Sequence, residues 1–166
     1  MNASLPADVP ADFNAALSVL MGKQRLEVED LKLMVLLETA GEPLYQKLAS
    51  LAPEGEAREF LLRNGREETA HAHRLKKAIE ILTGEPYALP ALQDNPYATP
   101  PPIPALTPEI LAGIEAGEKD GDAGYQQYAD HEQNPEVAEL LRQNGREETR
   151  HGERVARVAA LLAGGA

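Results

Sequence analysis

Apolar residues recur every three or four positions along four long stretches of the chain, which is the spacing of one face of an α-helix. These stretches predict four main helices, at residues 24–51, 54–82, 108–130 and 135–162. The breaks at residues 53–55 and 131–134 are short, so the flanking helices should form two antiparallel hairpins. A weaker pattern predicts a short helix at residues 11–21, ended by Gly22.

A proline-rich segment separates the two predicted hairpins. Eight of the thirteen prolines lie between Pro86 and Pro108, and such a segment can form neither a helix nor a central strand. It is longer than an ordinary loop, so we expect an extended crossover at residues 85–107. Residues 1–23 are then an N-terminal extension, and residues 24–164 form one all-α four-helix bundle.

The two hairpins are an internal repeat with a constant offset of 80 residues. The hexapeptide NGREET occurs at residues 64–69 and again at 144–149, and each copy is followed by a His two residues later. The same offset pairs Glu38 with Glu118 and also pairs identical tyrosines and arginines. Two copies joined by a long crossover predict a bundle with pseudo-two-fold symmetry rather than a solenoid.

Each predicted helix carries an apolar stripe that polar residues interrupt near its middle. Every stripe contains one carboxylate, and the stripes of the second and fourth helices also contain an imidazole. The six residues are Glu38, Glu68, His71, Glu118, Glu148 and His151. Burying carboxylates without compensation costs several kcal/mol each. Two divalent cations would balance the four carboxylates, and proton uptake is the alternative.

The donor atoms narrow the choice of metal. Carboxylate oxygens and imidazole nitrogens without thiolate suit iron or manganese better than structural zinc. Four Glu, two of them in Glu-x-x-His pairs, form the ligand set of di-iron and di-manganese bundles. One such pair is weak evidence, whereas two pairs, each with an inward Glu 30 residues earlier, are far more specific. The competing interpretations are a hydrogen-bonded core network and an inactive site that gene duplication preserved.

Composition excludes several other classes of protein. The formal net charge of −11 argues against a surface that binds nucleic acid. The sequence has no Cys, which excludes zinc ribbons, iron–sulfur clusters, thiol catalysis and disulfides from these residues. The longest apolar run, residues 33–37, is too short to span a membrane. No signal-peptide pattern opens the sequence, so we expect a cytoplasmic protein.

At these residues the chain resembles the rubrerythrin family of the ferritin-like superfamily, over residues 24–164. The resemblance rests on Glu38 with Tyr45, on Glu118 with Tyr125, and on the two Glu-x-x-His segments. It implies a di-iron centre that reacts with hydrogen peroxide or dioxygen, an external electron donor and a homodimer.

The resemblance also implies individual roles. Glu38 and His71 would hold one metal, Glu118 and His151 would hold the other, and both remaining glutamates would bridge the metals. The resemblance further implies that the two tyrosines donate hydrogen bonds that orient the ligating carboxylates. The alternative for the tyrosines is ordinary packing in the core.

Three features depart from the family pattern. A chain without Cys lacks the four-cysteine rubredoxin-type iron domain within these residues, so we expect its reductant to come from elsewhere. Gly121 stands where typical members carry an additional carboxylate, and the nearby Asp122 and Glu115 are not equivalent to it. Asn-Gly pairs at residues 64–65 and 144–145 replace a large apolar residue and a small one.

The leading interpretation is a non-haem di-iron oxidoreductase that couples Fe(II) oxidation to reduction of peroxide or dioxygen. A di-manganese enzyme with catalase-like activity would use the same ligand types. Iron storage or metal buffering without catalysis is the third interpretation, and a scaffold with a vestigial site is the fourth.

Residues around the six are assigned by their position on the helical wheel. Asn64 and Asn144 lie one turn before the inward Glu of each pair, so we expect them to line the pocket or to bond the ligands. Gly65 and Gly145 should make room for a neighbouring helix, and the glycines at 113, 117 and 121 should permit close approach of the third helix. The residues predicted to lie at the surface are Arg66, Arg146, Glu67, Glu147, His73 and His131.

Overall fold

Five α-helices make up most of the fold of the described residues. They are α1 (Phe13–Met21), α2 (Val28–Leu51), α3 (Glu56–Thr83), α4 (Pro108–His131) and α5 (Pro135–Gly164), with a 3-10 turn at Leu92–Asp94. This computed structural model describes residues 5–164, so residues 1–4 of the predicted N-terminal extension lie outside it. The described residues contain no β-strand, and the predicted all-α class is confirmed. In this part of the chain, no helix combines the length and apolarity that a membrane crossing requires.

Side-chain caps define where the helices of the second repeat begin. Oγ1 of Thr107 accepts a hydrogen bond from the amide of Ile110 at 3.3 Å, and Oδ1 of Asn134 accepts one from the amide of Glu136 at 3.0 Å. A proline follows each cap, at a position whose amide would have no partner inside the helix. These local signals place the starts of α4 and α5 where the sequence predicts them.

Two helices of the first repeat begin later than predicted, for local reasons. Glu27 and Asp30 form a reciprocal capping box, in which Asp30 Oδ2 accepts from the Glu27 amide at 2.8 Å, so α2 begins at Val28. Gly55 has a φ of 124°, which favours glycine and is not helical, so α3 begins after it.

The helices pack as two hairpins. Helix α2 packs against α3, α4 packs against α5, and α3 and α5 pack on each other between the two outer helices. Two apolar clusters fill this bundle on either side of a polar middle layer. One cluster includes Leu31, Leu36, Leu75, Ile79 and Leu141. The other includes Leu48, Leu61, Leu111, Val155 and Val158. Each fully buried Leu or Val contributes about 1.5–3 kcal/mol, so the clusters hold the polar layer in place.

Hydrogen bonds fix the crossover to the outside of α2. Nδ2 of Asn95 donates to the backbone oxygen of Leu36 at 2.8 Å. The hydroxyl of Tyr97 donates to the backbone oxygen of Pro10 at 2.8 Å, and its ring meets Phe13 edge-on at 6.3 Å between centroids. The crossover therefore ties α1 and the segment before it to the bundle.

The glycines divide into two groups. A Cβ on Gly65 would lie 3.1 Å from Cβ of Tyr45, and one on Gly145 would lie 3.0 Å from Cβ of Tyr125. The prediction that these two glycines admit a neighbouring helix is confirmed. The predicted close approach along the third helix is wrong, because a Cβ on Gly113 or Gly117 would meet no atom within 4 Å. Gly121 makes only ordinary contact, at 3.5 Å from a Glu side chain.

Candidate metal centre

Side chains from all four long helices meet in the polar layer. They are Glu38 from α2, Glu68 and His71 from α3, Glu118 from α4, and Glu148 and His151 from α5. In each Glu-x-x-His pair, residues three apart share one helix face, which directs both side chains into the bundle. Both imidazoles are fully buried. The structure thus brings together all six residues that the sequence singles out.

The six residues form two overlapping groups. In each group, one ligand atom from every member lies within 4.8 Å of the others. The groups are Glu38, Glu68, His71 and Glu148, and Glu68, Glu118, Glu148 and His151. Glu68 and Glu148 belong to both groups, which the predicted bridging role requires.

The Nδ1 atoms of both imidazoles face the carboxylates. Nδ1 of His71 lies 3.2 Å from Glu38 Oε2 and 3.2 Å from Glu148 Oε1. Nδ1 of His151 lies 3.1 Å from Glu68 Oε1 and 3.2 Å from Glu148 Oε2. The two rings stack at 5.1 Å between centroids, with an interplanar angle of 12°. Each group thus combines one imidazole nitrogen with three carboxylates.

Nδ1 of His151 supplies a test of whether a metal fits. Although carboxylate oxygens are near, this buried atom has no partner in hydrogen-bond geometry among residues 5–164. A buried polar atom without a partner is unfavourable. A cation between the carboxylates would give this nitrogen a partner in place of its proton, and the oxygen and nitrogen donors match the preferences of iron and manganese. The residues present fit a pair of such ions.

Burial and neighbouring charges shift the pKa values of several side chains in the polar layer. Burial raises the pKa of Glu68 well above its usual range, and the charge of Glu148 adds to this effect. Burial also raises the pKa of Glu118 to about 7. Burial alone would lower the pKa of His151, but the carboxylates around it, first that of Glu118, raise it to about 12. The raised pKa values favour the protonated forms of these three groups, so metal binding would release protons.

A second pair of carboxylates contacts the far side of the imidazoles. Nε2 of His71 lies 3.1 Å from Oε2 of Glu147, and Nε2 of His151 lies 3.1 Å from Oε2 of Glu67. The predicted surface position of Glu67 and Glu147 is wrong, since their side chains are only 23% and 14% exposed. A carboxylate at Nε2 keeps the proton on that nitrogen and leaves Nδ1 free to bind a metal.

Arginines one turn beyond each imidazole hold these outer carboxylates. Arg74 donates to both oxygens of Glu147, at 2.8 and 2.9 Å, and Arg154 donates to both oxygens of Glu67, at 2.7 and 3.2 Å. The hydrogen bond from His71, together with Arg74, lowers the pKa of Glu147 to about 2. The repeated spacing of Glu, His and Arg was visible in the sequence, but each Glu bonds the His of the other repeat.

The tyrosines also cross between repeats. The hydroxyl of Tyr45 donates to Glu118, and that of Tyr125 donates to Glu38. The resemblance implies that the tyrosines orient the carboxylates of Glu38 and Glu118, and in the structure each tyrosine bonds the carboxylate of the opposite outer helix. Burial raises the pKa of both phenols well above the usual range, and the neighbouring carboxylate adds to this effect. Both hydroxyls therefore remain donors.

The asparagines of NGREET hold the two inner helices together. Nδ2 of Asn64 donates to the backbone oxygen of His151 at 3.2 Å, and Nδ2 of Asn144 donates to that of His71 at 3.3 Å. Their Oδ1 atoms accept from Arg154 at 2.8 Å and Arg74 at 2.9 Å. Both side chains are fully buried. They bond the backbone that carries each imidazole rather than the ligand atoms.

The threonine of each hexapeptide pins an outer helix to an inner one. Oγ1 of Thr69 donates to Glu42 at 2.6 Å, and Oγ1 of Thr149 donates to Asp122 at 2.5 Å. The sequence pattern does not indicate this role of Glu42 and Asp122. Because Asp122 is engaged in this way, it does not substitute for the carboxylate that is missing at Gly121.

The remaining predicted surface residues lie where expected. His73, His131, Arg66 and Arg146 are exposed, and Arg146 pairs with Glu139 at 2.7 Å on the outside of α5. Glu115 pairs with Lys119 at 2.5 Å and belongs to neither ligand group.

Comparison with known proteins identifies a family. The sequence model of the family described as Rubrerythrin matches residues 29–159. No curated protein and no solved structure matches the chain.

Proposed function

Because the chain belongs to the rubrerythrin family, we propose that its polar layer holds two iron ions and couples Fe(II) oxidation to reduction of hydrogen peroxide or dioxygen. Glu38 and His71 would hold one ion, Glu118 and His151 would hold the other, and the remaining two glutamates would bridge them. An external donor would return the electrons. Cytoplasmic location and homodimer formation stay predictions.

One observation carries this proposal. Two groups of four ligand atoms, each within 4.8 Å, share Glu68 and Glu148. A hydrogen-bonded core network has no need for shared carboxylates around a buried imidazole nitrogen that lacks a partner. Two divalent ions would satisfy both features, because they compensate the carboxylates and bind that nitrogen.

The bound iron would supply the electron transfer, and the residues of the chain would supply its surroundings. Glu67 and Glu147 orient the imidazoles through Nε2. Two tyrosine hydroxyls hold the terminal carboxylates from across the bundle. Apolar clusters pack on both sides of the layer and hold its side chains in position.

The first experiment measures metal content and turnover. Protein prepared with Fe(II) should bind two iron ions per chain by mass spectrometry, and it should oxidise Fe(II) faster when peroxide is added. The Glu68→Ala, Glu148→Ala double variant should lose both properties. Glu153→Ala is the matched control, because it removes an exposed carboxylate from α5 and should change neither. Trace metal in the wild type, or equal binding by the double variant, would contradict the proposal.

The same experiment separates iron from manganese. The donor set also suits manganese, so protein loaded with Mn(II) serves as the comparison. Rapid disproportionation of peroxide by the manganese form without a reductant, with an inactive iron form, would replace our proposal with a catalase-like function. Iron uptake far beyond two ions per chain would indicate storage instead.

A further inference from the structure

A large cavity opens between the two outer helices and reaches the polar layer. Its volume is about 690 Å³, and its walls come from α1, α2, α4 and the crossover. At its inner end lie Glu38, Glu68, Glu118 and Glu148, and at its outer end lie Leu17 and Met21 of α1. The cavity thus connects the candidate metal centre with the surface.

This volume exceeds what peroxide or dioxygen requires. A water molecule occupies about 30 Å³ in the liquid, whereas pockets for organic ligands measure about 300–1,000 Å³. The cavity lies well inside the second range. A passage for a diatomic molecule or peroxide would need only a small fraction of it.

The glycines of α4 create much of this space. Gly117, Gly121 and Gly124 line the cavity, and a Cβ on Gly117 would meet no atom within 4 Å. Glycine costs a helix about 1 kcal/mol relative to alanine, so a row of glycines weakens α4 without a packing benefit at Gly117. The predicted close contact between helices does not explain the glycine at 117, whereas the need for open space beside the candidate metal centre does.

The chemistry of the walls selects the ligand. The lining is mainly apolar and includes Leu37, Leu44 and Ile114. Among the described residues, none that lines the cavity is Lys, Arg or His, while Asp12 and Asp120 lie on its walls. Every charged side chain among these lining residues is a carboxylate and would repel an anion, and a cation would have to leave water for apolar walls. The walls therefore favour a neutral molecule.

Helix α1 covers the cavity with side chains that water still reaches. Leu17 and Phe13 line it and are 40% and 41% exposed. Only Ala16 and Leu20 of this helix are buried in the core. Exposed apolar residues gathered at the mouth of a pocket are typical of ligand-binding grooves.

We propose that this cavity binds a neutral, mainly apolar organic molecule, with its inner end at the carboxylates of the candidate metal centre. The ligand enters between α1 and α4 and lies along the glycines of α4. This proposal does not rest on the proposed function, because binding requires the cavity and not the iron.

The test uses N-phenyl-1-naphthylamine, a neutral probe that fluoresces in apolar surroundings. The full chain, both as purified and after removal of metal with chelator, should bind the probe saturably. In the metal-free protein, 1-decanol should displace the probe, and decanoate should require about tenfold more or greater, because its charge meets carboxylates. Equal displacement by both compounds would overturn the assignment of a neutral ligand.

Two matched pairs of variants test whether the probe binds in the cavity. Gly117→Leu fills the cavity and should weaken binding about tenfold or more, whereas Gly113→Leu, on the same helix but not on the cavity wall, should not. Leu17→Asp should weaken binding, whereas Val19→Asp, 46% exposed on the same helix but outside the cavity, should not. Circular dichroism checks that all four variants fold.

The outcomes separate this proposal from the proposed function. No saturable binding by the wild type, or an equal loss within either pair, overturns the ligand site. Binding of the probe by a protein that takes up no iron would remove the proposed function and support the cavity. A wild type that binds iron but not the probe would support the proposed function and overturn the ligand site.

Discussion

Nε2 of His71 lies 3.1 Å from Oε2 of Glu147, a residue from the other repeat that Arg74 holds in turn. The equivalent contact joins His151 to Glu67. The position of each imidazole therefore depends on hydrogen-bonding residues from both repeats. The proton that Glu147 holds on Nε2 defines which nitrogen of His71 can bind a metal.

Glu147→Ala should weaken Fe(II) binding about 10–100-fold, the usual effect of removing a hydrogen-bond partner of a ligating imidazole. Glu147→Gln should recover part of the loss, because its amide oxygen can still accept from Nε2. Isothermal titration gives both affinities. Glu139→Gln is the control, because Glu139 is exposed on α5, pairs with Arg146 and belongs to neither ligand group. An unchanged affinity in Glu147→Ala would show that His71 needs no such partner.

Asn64→Leu should destabilise the protein by about 1–3 kcal/mol, because it leaves the buried backbone oxygen of His151 and an arginine donor without their partner. Urea unfolding measures the change. Because Asn64 bonds the backbone of a predicted ligand, we also expect lower metal affinity and peroxide turnover. Destabilisation with both of these unchanged would leave Asn64 a packing residue only.

Gly145→Ala and Gly113→Ala should change stability in opposite directions. A Cβ at Gly145 would lie 3.0 Å from Cβ of Tyr125 and would push α4 away from α5, at a cost of about 1–3 kcal/mol. A Cβ at Gly113 meets nothing and should stabilise α4 by up to about 1 kcal/mol. Thermal unfolding of both variants gives the comparison. Equal effects would mean that the helices can separate freely at Gly145.

Metal binding should stabilise the fold in a pH-dependent manner. Ligating carboxylates must be ionised and ligating imidazoles must be neutral, so metal binding releases protons and weakens as the pH falls. Free metal at 100 times its Kd should stabilise the protein by about 2.7 kcal/mol. Melting curves with and without Fe(II), recorded anaerobically from pH 5 to 8, should therefore diverge as the pH rises. The Glu68→Ala, Glu148→Ala variant is the control and should show no metal-dependent shift at any pH.

Much of the fold could be predicted from local patterns in the sequence. Helical spacing, proline and capping residues predicted the helices and the crossover, because these features act within a few residues. The repeat then aligned His71 with His151, and helical periodicity placed each on a face with its Glu. The face of a helix on which each of the six side chains lies depends only on the spacing of residues in that helix. The amino-acid sequence was therefore enough to single them out.

Contacts between the repeats could not be predicted in the same way. The sequence assigned Glu67 and Glu147 to the surface, because wheel positions describe one helix and not the neighbour that covers it. Likewise, Tyr45 bonds the carboxylate of the opposite outer helix. The glycines at 113 and 117 have the spacing of a packing stripe, yet a Cβ on either would meet no atom within 4 Å.

The sequence by itself determined an all-α repeat with a polar layer of carboxylates and imidazoles, since spacing along a helix decides which side chains share a face. Tertiary structure alone decided which repeat supplies each hydrogen-bond partner and where space remains above the layer. Those outcomes depend on the distances between packed helices, which all the apolar side chains of the bundle set together.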